Sequence, residues 1–525
     1  MNTKNTLHLF LAVVIVIFGA IFFGTAAGKQ DTKTLSIFVA GFVVLGTFIA
    51  LKQNIWIIIP IFAMWSGRVS VLPLPFAVSN LAVGIAVASW LLFLATRRQV
   101  FTLSYSKFDI FLGMLVALLI AGYFRNPVGL ASIGGGSNVG ARPYVECIIA
   151  FMGYLMLSNQ QADSKMVARL PSLHMFSAFL IAGGGAVAFL VPGAGLLLYQ
   201  IYSGFLPNVA TLFDPYGDNS DAIGRTEFIR PFALGSVALI GGLMIPFKVL
   251  QPKYFWYGCL LFLAGVLALL SGYRSSLVAI VFYFVFGSWL WLGLRGVLVC
   301  AVGGSLLIFL LVVLHQFVPL PERAQRPLSF LPGNWDEKVI QTGKDSNEWR
   351  FEMWQIVIEG DTIKNWWIGD GFGFPKAELE YFGAMQQSGN ILPEQLAEYF
   401  IITGGLHSGP LSAIKYVGVI GLVIFMIIAT LMVFGYIKLW NKCRYWGVDP
   451  GVQATIGFYA IFAAYIPLKY IFIFGAFDSD LPIVIVSLGI YRLLEKVVLS
   501  EIEKMKAEPS ALAEGDDPVL TAITG

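Results

Sequence analysis

Charge is scarce in this chain. Asp, Glu, Lys and Arg make up 12% of its 525 residues, against 57% hydrophobic, where a soluble globular domain carries about 25% charged residues. That scarcity excludes an ordinary soluble fold and predicts an all-α polytopic membrane protein, since helices are the usual way to satisfy backbone polar groups in lipid. The net charge of +3 is too small and too dispersed for a nucleic-acid partner. Cysteine is nearly absent: Cys147, Cys259, Cys300 and Cys443 all lie outside the two long polar loops, so neither a disulfide framework nor a thiolate metal site is expected. Of the four histidines, His8, His174 and His315 have no second histidine at ligand spacing, so no metal or other cofactor is expected. No repeat of roughly 20–50 residues is visible, which excludes a solenoid.

What the chain has in abundance is apolar runs, at about 7–27, 34–51, 55–65, 77–96, 108–124, 143–158, 173–192, 231–250, 255–271, 275–293, 297–318, 410–437, 453–474 and 481–497. A span needs about 20 residues at about 1.5 Å each. The run 55–65 is too short to cross by itself and 255–271 is marginal, so 12–14 transmembrane helices are expected. The first run is long enough to span and is read as an uncleaved helix. Lys and Arg in short loops set orientation. Lys52, Arg97, Arg98, Lys107, Lys165, Arg169, Lys248, Lys253, Arg295, Lys438, Lys442 and Arg444 fall on one side, which predicts cytoplasmic N- and C-termini, while Lys29 and Lys33 fall on the other. Residues 1–318 then hold the first set of spans with a shorter outer loop at about 193–230. Residues 319–408 form one large, partly helical periplasmic loop, 409–499 the C-terminal spans, and 500–525 a polar, frayed cytoplasmic tail.

The interval 319–408 carries thirteen Asp and Glu against seven Lys and Arg, an excess of six negative charges in a chain of net +3. Three basic residues are expected at the outer mouth of the bundle: Arg230, before Pro231 at a helix start; Arg274, in the turn Ser271-Gly272-Tyr273-Arg274; and His407, closing the long loop before Pro410. Each has a bland reading. An arginine at a helix end snorkels to lipid headgroups, and a histidine at a loop end is often only packed. Together on one face, two guanidiniums suit bidentate binding of a diphosphate, and a neutral imidazole suits a proton acceptor near neutral pH. Arg350 either contacts phosphate or sugar, or rides on an amphipathic surface helix whose apolar positions are Phe351, Trp354 and Val357. Trp335, Trp349, Trp354, Trp366, Trp367 and Tyr381 either stack on sugar rings or anchor at the interface. The stretch Gly369 to Gly373 reads as a turn and not a nucleotide cradle, for no Lys-Ser/Thr follows it.

The order Arg230-Pro-Phe-Ala-Leu-Gly235, Ser271-Gly-Tyr-Arg-Ser-Ser276, a long outer loop, and His407-Ser-Gly-Pro-Leu411 before Gly418-Val-Ile-Gly421 resembles the O-antigen ligase and polysaccharide polymerase superfamily of bacterial membrane glycosyltransferases. Within the loop, Glu348-Trp-Arg-Phe-Glu-Met-Trp354 and Trp367-Ile-Gly-Asp-Gly-Phe-Gly-Phe374 are similar to that family's arginine helix and Gly-x-Gly turn. The resemblance covers roughly residues 170–440. It departs where Lys415 precedes Gly418, a place the family often fills with an acid, and where Ser408 follows the histidine in place of Asn.

The resemblance implies a metal-independent, inverting transfer from an undecaprenyl-diphosphate-linked glycan at the periplasmic face of the bacterial inner membrane. His407, Arg274 and Arg230 would be catalytic, and Arg350, Arg225 and Trp354 would bind substrate. The expected partners are that lipid-linked donor, a lipid A-core or glycan acceptor, and the bilayer. Ligation of surface polysaccharide to an acceptor is the favoured activity. A polymerase with a second lipid-linked glycan as acceptor follows it, and a lipid-linked sugar transporter is the rival from another class. A transporter would place charged residues mid-span on several helices; these spans are largely uncharged at their centres, with Lys469 as the main exception.

Overall fold

The computed structural model describes residues 41, 46–48, 50–70, 76–97, 101, 105–128, 140–205, 226–360, 362–373, 401 and 405–515. Among them the fold is helical, and extended backbone pairs only at the single bridge Arg68–Ala77. The elements that frame the site are α1 (Val78–Ala95), α2 (Lys107–Arg125), α3 (Ala141–Asn159), α4 (Leu170–Leu190), α5 (Arg230–Leu243), α6 (Phe255–Leu270), α7 (Arg274–Leu292) and α8 (Leu294–Phe317). The long loop contributes α9 (Glu322–Leu328) and α10 (Glu337–Glu359), and the C-terminal part α11 (Gly409–Trp446), α12 (Pro450–Leu468) and α13 (Phe477–Gly515).

Eight helices of the described residues are long and apolar enough to cross a membrane. The run 7–27 and most of 34–51 lie outside the described residues. The short helical stretch at 52–62 is, as its length requires, too brief to cross. Local chemistry fixes several starts. Ser106 and Asp109 form a reciprocal capping box at α2, and the second Asp109 oxygen accepts from Tyr154 on α3 at 2.5 Å. Asp449 caps α12 through the amides of Gly451 and Val452, with Pro450 in the first turn.

Two runs end differently from the sequence pattern. The run 231–250 yields only the 14-residue α5, because Pro246 cannot continue a helix and starts a tight 3-10 turn over Pro246–Leu250. The tail from residue 500, expected to fray, instead extends α13 as helix to Gly515. Buried Ile502 and a Glu501–Lys504 pair at 3.0 Å support its first turns.

The core is the packing of α12 against α5 and α11 and of α13 against α3, with α2 along α11 and α7 along both α5 and α12. The Ser412 hydroxyl accepts the Phe477 amide at 2.9 Å, tying α11 to the start of α13. By contrast, α8 has only 6% of its apolar window buried and faces the surroundings along its length. The alternation of spans brings the end of α2, the starts of α3, α5, α7, α11 and α13, and the long loop to one end of the bundle. The basic turns near Arg97, Arg169, Lys253, Arg295 and Arg444 occupy the other.

Candidate functional site

The first corner of the site is built on the turn between α6 and α7. Gly272 supplies a positive φ of 71° that reverses the chain within two residues. The segment preceding α5 is sewn to that turn: Thr226 donates its amide to the Ser271 carbonyl at 3.1 Å and its hydroxyl to the Leu270 carbonyl at 2.9 Å. Arg230, four residues on, therefore lies with its guanidinium 5.4 Å from the centre of the Tyr273 ring, a cation–π contact directly beside Arg274. The Arg274 Nε–H donates to the Arg326 carbonyl at 3.4 Å and Nη2 to the Ser329 hydroxyl at 3.2 Å, both just where α9 ends. Its Nη1 group has no hydrogen-bond partner among the described residues.

The second corner belongs to His407. Its backbone φ of +47° is in the left-handed region, which costs a side chain other than glycine about 1–2 kcal/mol. Packing holds it there. The indole of Trp349 meets the imidazole edge-on at 5.3 Å, and Phe474, from the connection between α12 and α13, meets it from elsewhere at 5.2 Å. The Trp354 indole N–H donates to the Leu406 carbonyl at 2.9 Å and so fixes the residue before the histidine. Met353, Val357, Ile363, Ile401 and Leu406 close a small core of their own, with Trp349 and Trp354 at its margin.

Both corners are held by one helix. Along α10, buried Val339 and Gly343, half-buried Arg350 and Trp354, and buried Val357 recur at steps of four, seven, four and three, one stripe of a 3.6-residue helix. Gly343 lies against the Arg274 guanidinium and Trp349 against His407. Six residues of helix, roughly 9 Å at 1.5 Å rise, separate these two contacts. Arg350 shares the stripe with Gly343 and Trp354 and sits between them. Of the apolar positions Phe351, Trp354 and Val357, Val357 is buried and Phe351 is 64% exposed with its ring 5.4 Å from that of Trp354, and Met353 is wholly buried.

Below His407 the helix α11 is broken. Gly418 has φ 72° and ψ 179°, outside any helical region. Loop residues 366–371 complete the break: Val419 and Ile420 donate to the carbonyls of Trp366 and Trp367 at 2.8 and 3.2 Å. In return Asp370 and Gly371 donate to Lys415 and Tyr416 at 2.6 and 2.9 Å. The loop is turned for this by Gly369 and Gly371, with φ of 69° and 76°, and by Asp370, whose carboxylate accepts the amides of Lys364 and Asn365 at 3.0 Å each. Arg125 at the end of α2 donates to the Ile368 carbonyl at 2.9 Å, Gly140 to that of Phe372 at 2.7 Å, and the Tyr144 hydroxyl accepts the Phe372 amide at 3.0 Å. The glycine-rich stretch is thus a turn, as its sequence predicts, and its work is to dock the loop into a gap in a span. Lys415, buried on α11, donates to the Ile401 carbonyl at 2.5 Å and ties the far end of the loop to the same helix.

Of the residues singled out by sequence, Arg230, Arg274, Arg350, Trp354 and His407 all come to this end of the bundle, and Arg225 lies outside the described residues. Trp354 spends its indole N–H on Leu406 and acts here as a buttress of His407. Two of the histidines set aside as ligands have structural partners: His174 is buried with Nδ1 on the Pro60 carbonyl at 3.1 Å, and His315 stacks on Trp335 with ring centres 4.4 Å apart. No group of three His, Cys, Asp or Glu among the described residues is placed to hold a metal. Sequence reasoning missed Ser329, Gly343 and Phe474. Only Gly343 left a trace, as a glycine inside a helical pattern, where it costs about 1 kcal/mol relative to alanine. Chemically, the arrangement offers a cationic fork for an anion on one side and an imidazole on the other, spanned by a helix that presents a third cation.

Residues 259–426 match the family model described as O-antigen ligase. The matched segment holds Arg274, the long loop, His407 and the break at Gly418, and leaves Arg230 outside. No curated protein matches the chain.

Proposed function

We propose, on the match of residues 259–426 to the O-antigen ligase family model, that the chain is a membrane glycosyltransferase whose donor is a glycan on an undecaprenyl-diphosphate carrier and whose favoured reaction is ligation of that glycan to an acceptor at the periplasmic face. The observation that carries the reading is the bridge made by α10. One helix touches the guanidinium of Arg274 and the imidazole of His407, two groups more than 130 residues apart in sequence.

Arg274, whose Nη1 group is without a hydrogen-bond partner among the described residues, and Arg230, beside it on Tyr273, would take the diphosphate. Both would stabilise the charge that gathers there as the anomeric C–O bond breaks. An acceptor hydroxyl, oriented by His407 and giving it its proton, would attack the anomeric carbon in line from the opposite face, which inverts the configuration. Arg350, between the two on the inner stripe of α10, would meet the phosphate or the first sugar. The acceptor side is lined by the long loop, so the choice between ligase and polymerase is set there.

Arg274→Lys tests the fork. A point charge cannot reproduce two parallel N–H donors, and loss of one charge-assisted hydrogen bond, about 1.5–3 kcal/mol, corresponds to roughly a ten- to hundredfold drop in kcat/KM. Near-normal turnover would show that Arg274 only snorkels to headgroups. The orientation is checked by labelling single cysteines at Asp345 or Gly389 in intact spheroplasts with an impermeant maleimide, with labelling from outside expected and protection inverting the topology. The activity itself is tested by reconstituting the chain with an undecaprenyl-diphosphate glycan and offering lipid A-core or a second lipid-linked glycan. Ligated product is expected, elongated carrier-linked glycan would make the chain a polymerase, and transfer to neither would overturn the reading.

A further inference from the structure

Gly343 is a costly residue where it stands. It lies in the first third of α10, with helical residues on both sides, and alanine there would favour the helix by about 1 kcal/mol. No turn or positive φ asks for glycine at this position. What asks for it is Arg274. A Cβ on Gly343 would fall 2.0 Å from Arg274 Nη2 and 3.2 Å from Cζ, so the Nη2 end of the guanidinium abuts the helix where the side chain is missing. The same Nη2 donates to Ser329, and Nε donates to Arg326.

We propose that Gly343 is a positioning residue for Arg274, and hence a determinant of how the diphosphate of the donor is held; this rests on the reading of Arg274 given above. The missing side chain lets two surfaces meet on one guanidinium. The end of α9 takes two donors, and the bare backbone of α10 leaves room for the Nη2 end of the guanidinium. A methyl group at 343 displaces the guanidinium and not the fold, for the atoms it strikes are the far end of a flexible side chain. Arg274 then swings off Ser329. Because α10 also carries Trp349 against His407, the position of Gly343 along that helix fixes the distance between the anion fork and the imidazole.

The experiment compares Gly343→Ala, Arg274→Ala and the double variant in the reconstituted full chain, by thermal melting and by steady-state kinetics against donor concentration. For Gly343→Ala the expected result is a melting temperature equal to or above wild type with kcat/KM for the donor down on the order of tenfold to a hundredfold, the range a misplacement of about 1 Å produces. In the double variant the loss should equal that of Arg274→Ala alone, because the glycine acts only through the arginine. A Gly343→Ala protein with wild-type kinetics, while Arg274→Ala is inactive, would overturn the positioning role and leave the donor reading standing. Additive losses would overturn it as well. Wild-type kinetics for Arg274→Ala would instead remove the donor reading itself.

Discussion

His407→Ala is expected to abolish glycan transfer while leaving the protein folded and able to bind the lipid-linked donor. The groups assigned to the donor, Arg230 and Arg274, hang from the turn before α7 and from α9, and neither is held by the imidazole. Loss of a positioned general base costs about 10²–10⁴ in rate, and here the acceptor would lose its orienting contact as well. The backbone complicates the alanine variant, since φ of +47° at this residue is harder for alanine than for histidine. His407→Asn separates the two effects: asparagine tolerates the left-handed region but cannot accept a proton at neutral pH. Both variants should show donor binding by quenching or filter retention and no product in a single-turnover assay. If His407→Asn turns over at the wild-type rate, the proton goes elsewhere, and the packing of Trp349 and Phe474 on this ring has a structural purpose only.

The parts of this arrangement that sequence made legible are those that depend on one residue and its near neighbours. Apolar runs marked α1, α2, α3, α4, α6, α7, α8 and α12 to within a few residues and the start of α11, which runs nine residues past its expected end, and the charges at Arg230 and Arg274 together with His407 marked one end of the bundle. What stayed hidden depends on pairs far apart. Nothing near Gly418 announces that a loop some fifty residues upstream will supply its hydrogen bonds, because backbone amides carry no residue signature. Nothing near Phe474 announces His407, since an aromatic in an apolar run is indistinguishable from one facing lipid. The loop, read in sequence as one polar interval outside the spans, is in its described part woven into the bundle by Arg125, Gly140, Tyr144 and Lys415. Lys415 also clarifies the departure from the family's pattern: a buried ammonium that reaches the Ile401 carbonyl holds the strand of chain leading to His407.

That weaving makes Gly418→Ala a severely disruptive substitution. At φ 72° and ψ 179° only glycine is at ease. A Cβ would fall 2.1 Å from the Trp367 carbonyl oxygen, 2.2 Å from its carbon and 2.3 Å from the Ile368 nitrogen, all backbone atoms that cannot rotate away. Relief requires the loop to withdraw, and withdrawal breaks four backbone hydrogen bonds between 366–371 and 415–420. Each is worth about 1 kcal/mol net, and more where lipid offers no replacement partner. With the strain included, the loss exceeds about 4 kcal/mol, the range in which single substitutions unfold a protein of ordinary stability. Gly369→Ala attacks the same junction from the loop side, its Cβ meeting the Val417 amide at 2.3 Å. Gly447→Ala is the control: the same sign of φ, 66°, but open space around the new methyl group. It should melt only a few degrees low and keep full transfer activity, because strain alone costs about 1–2 kcal/mol. Gly418→Ala and Gly369→Ala should fail to accumulate as monodisperse protein in detergent. A Gly418→Ala protein that melts like Gly447→Ala would mean that the loop docks on α11 without being part of it.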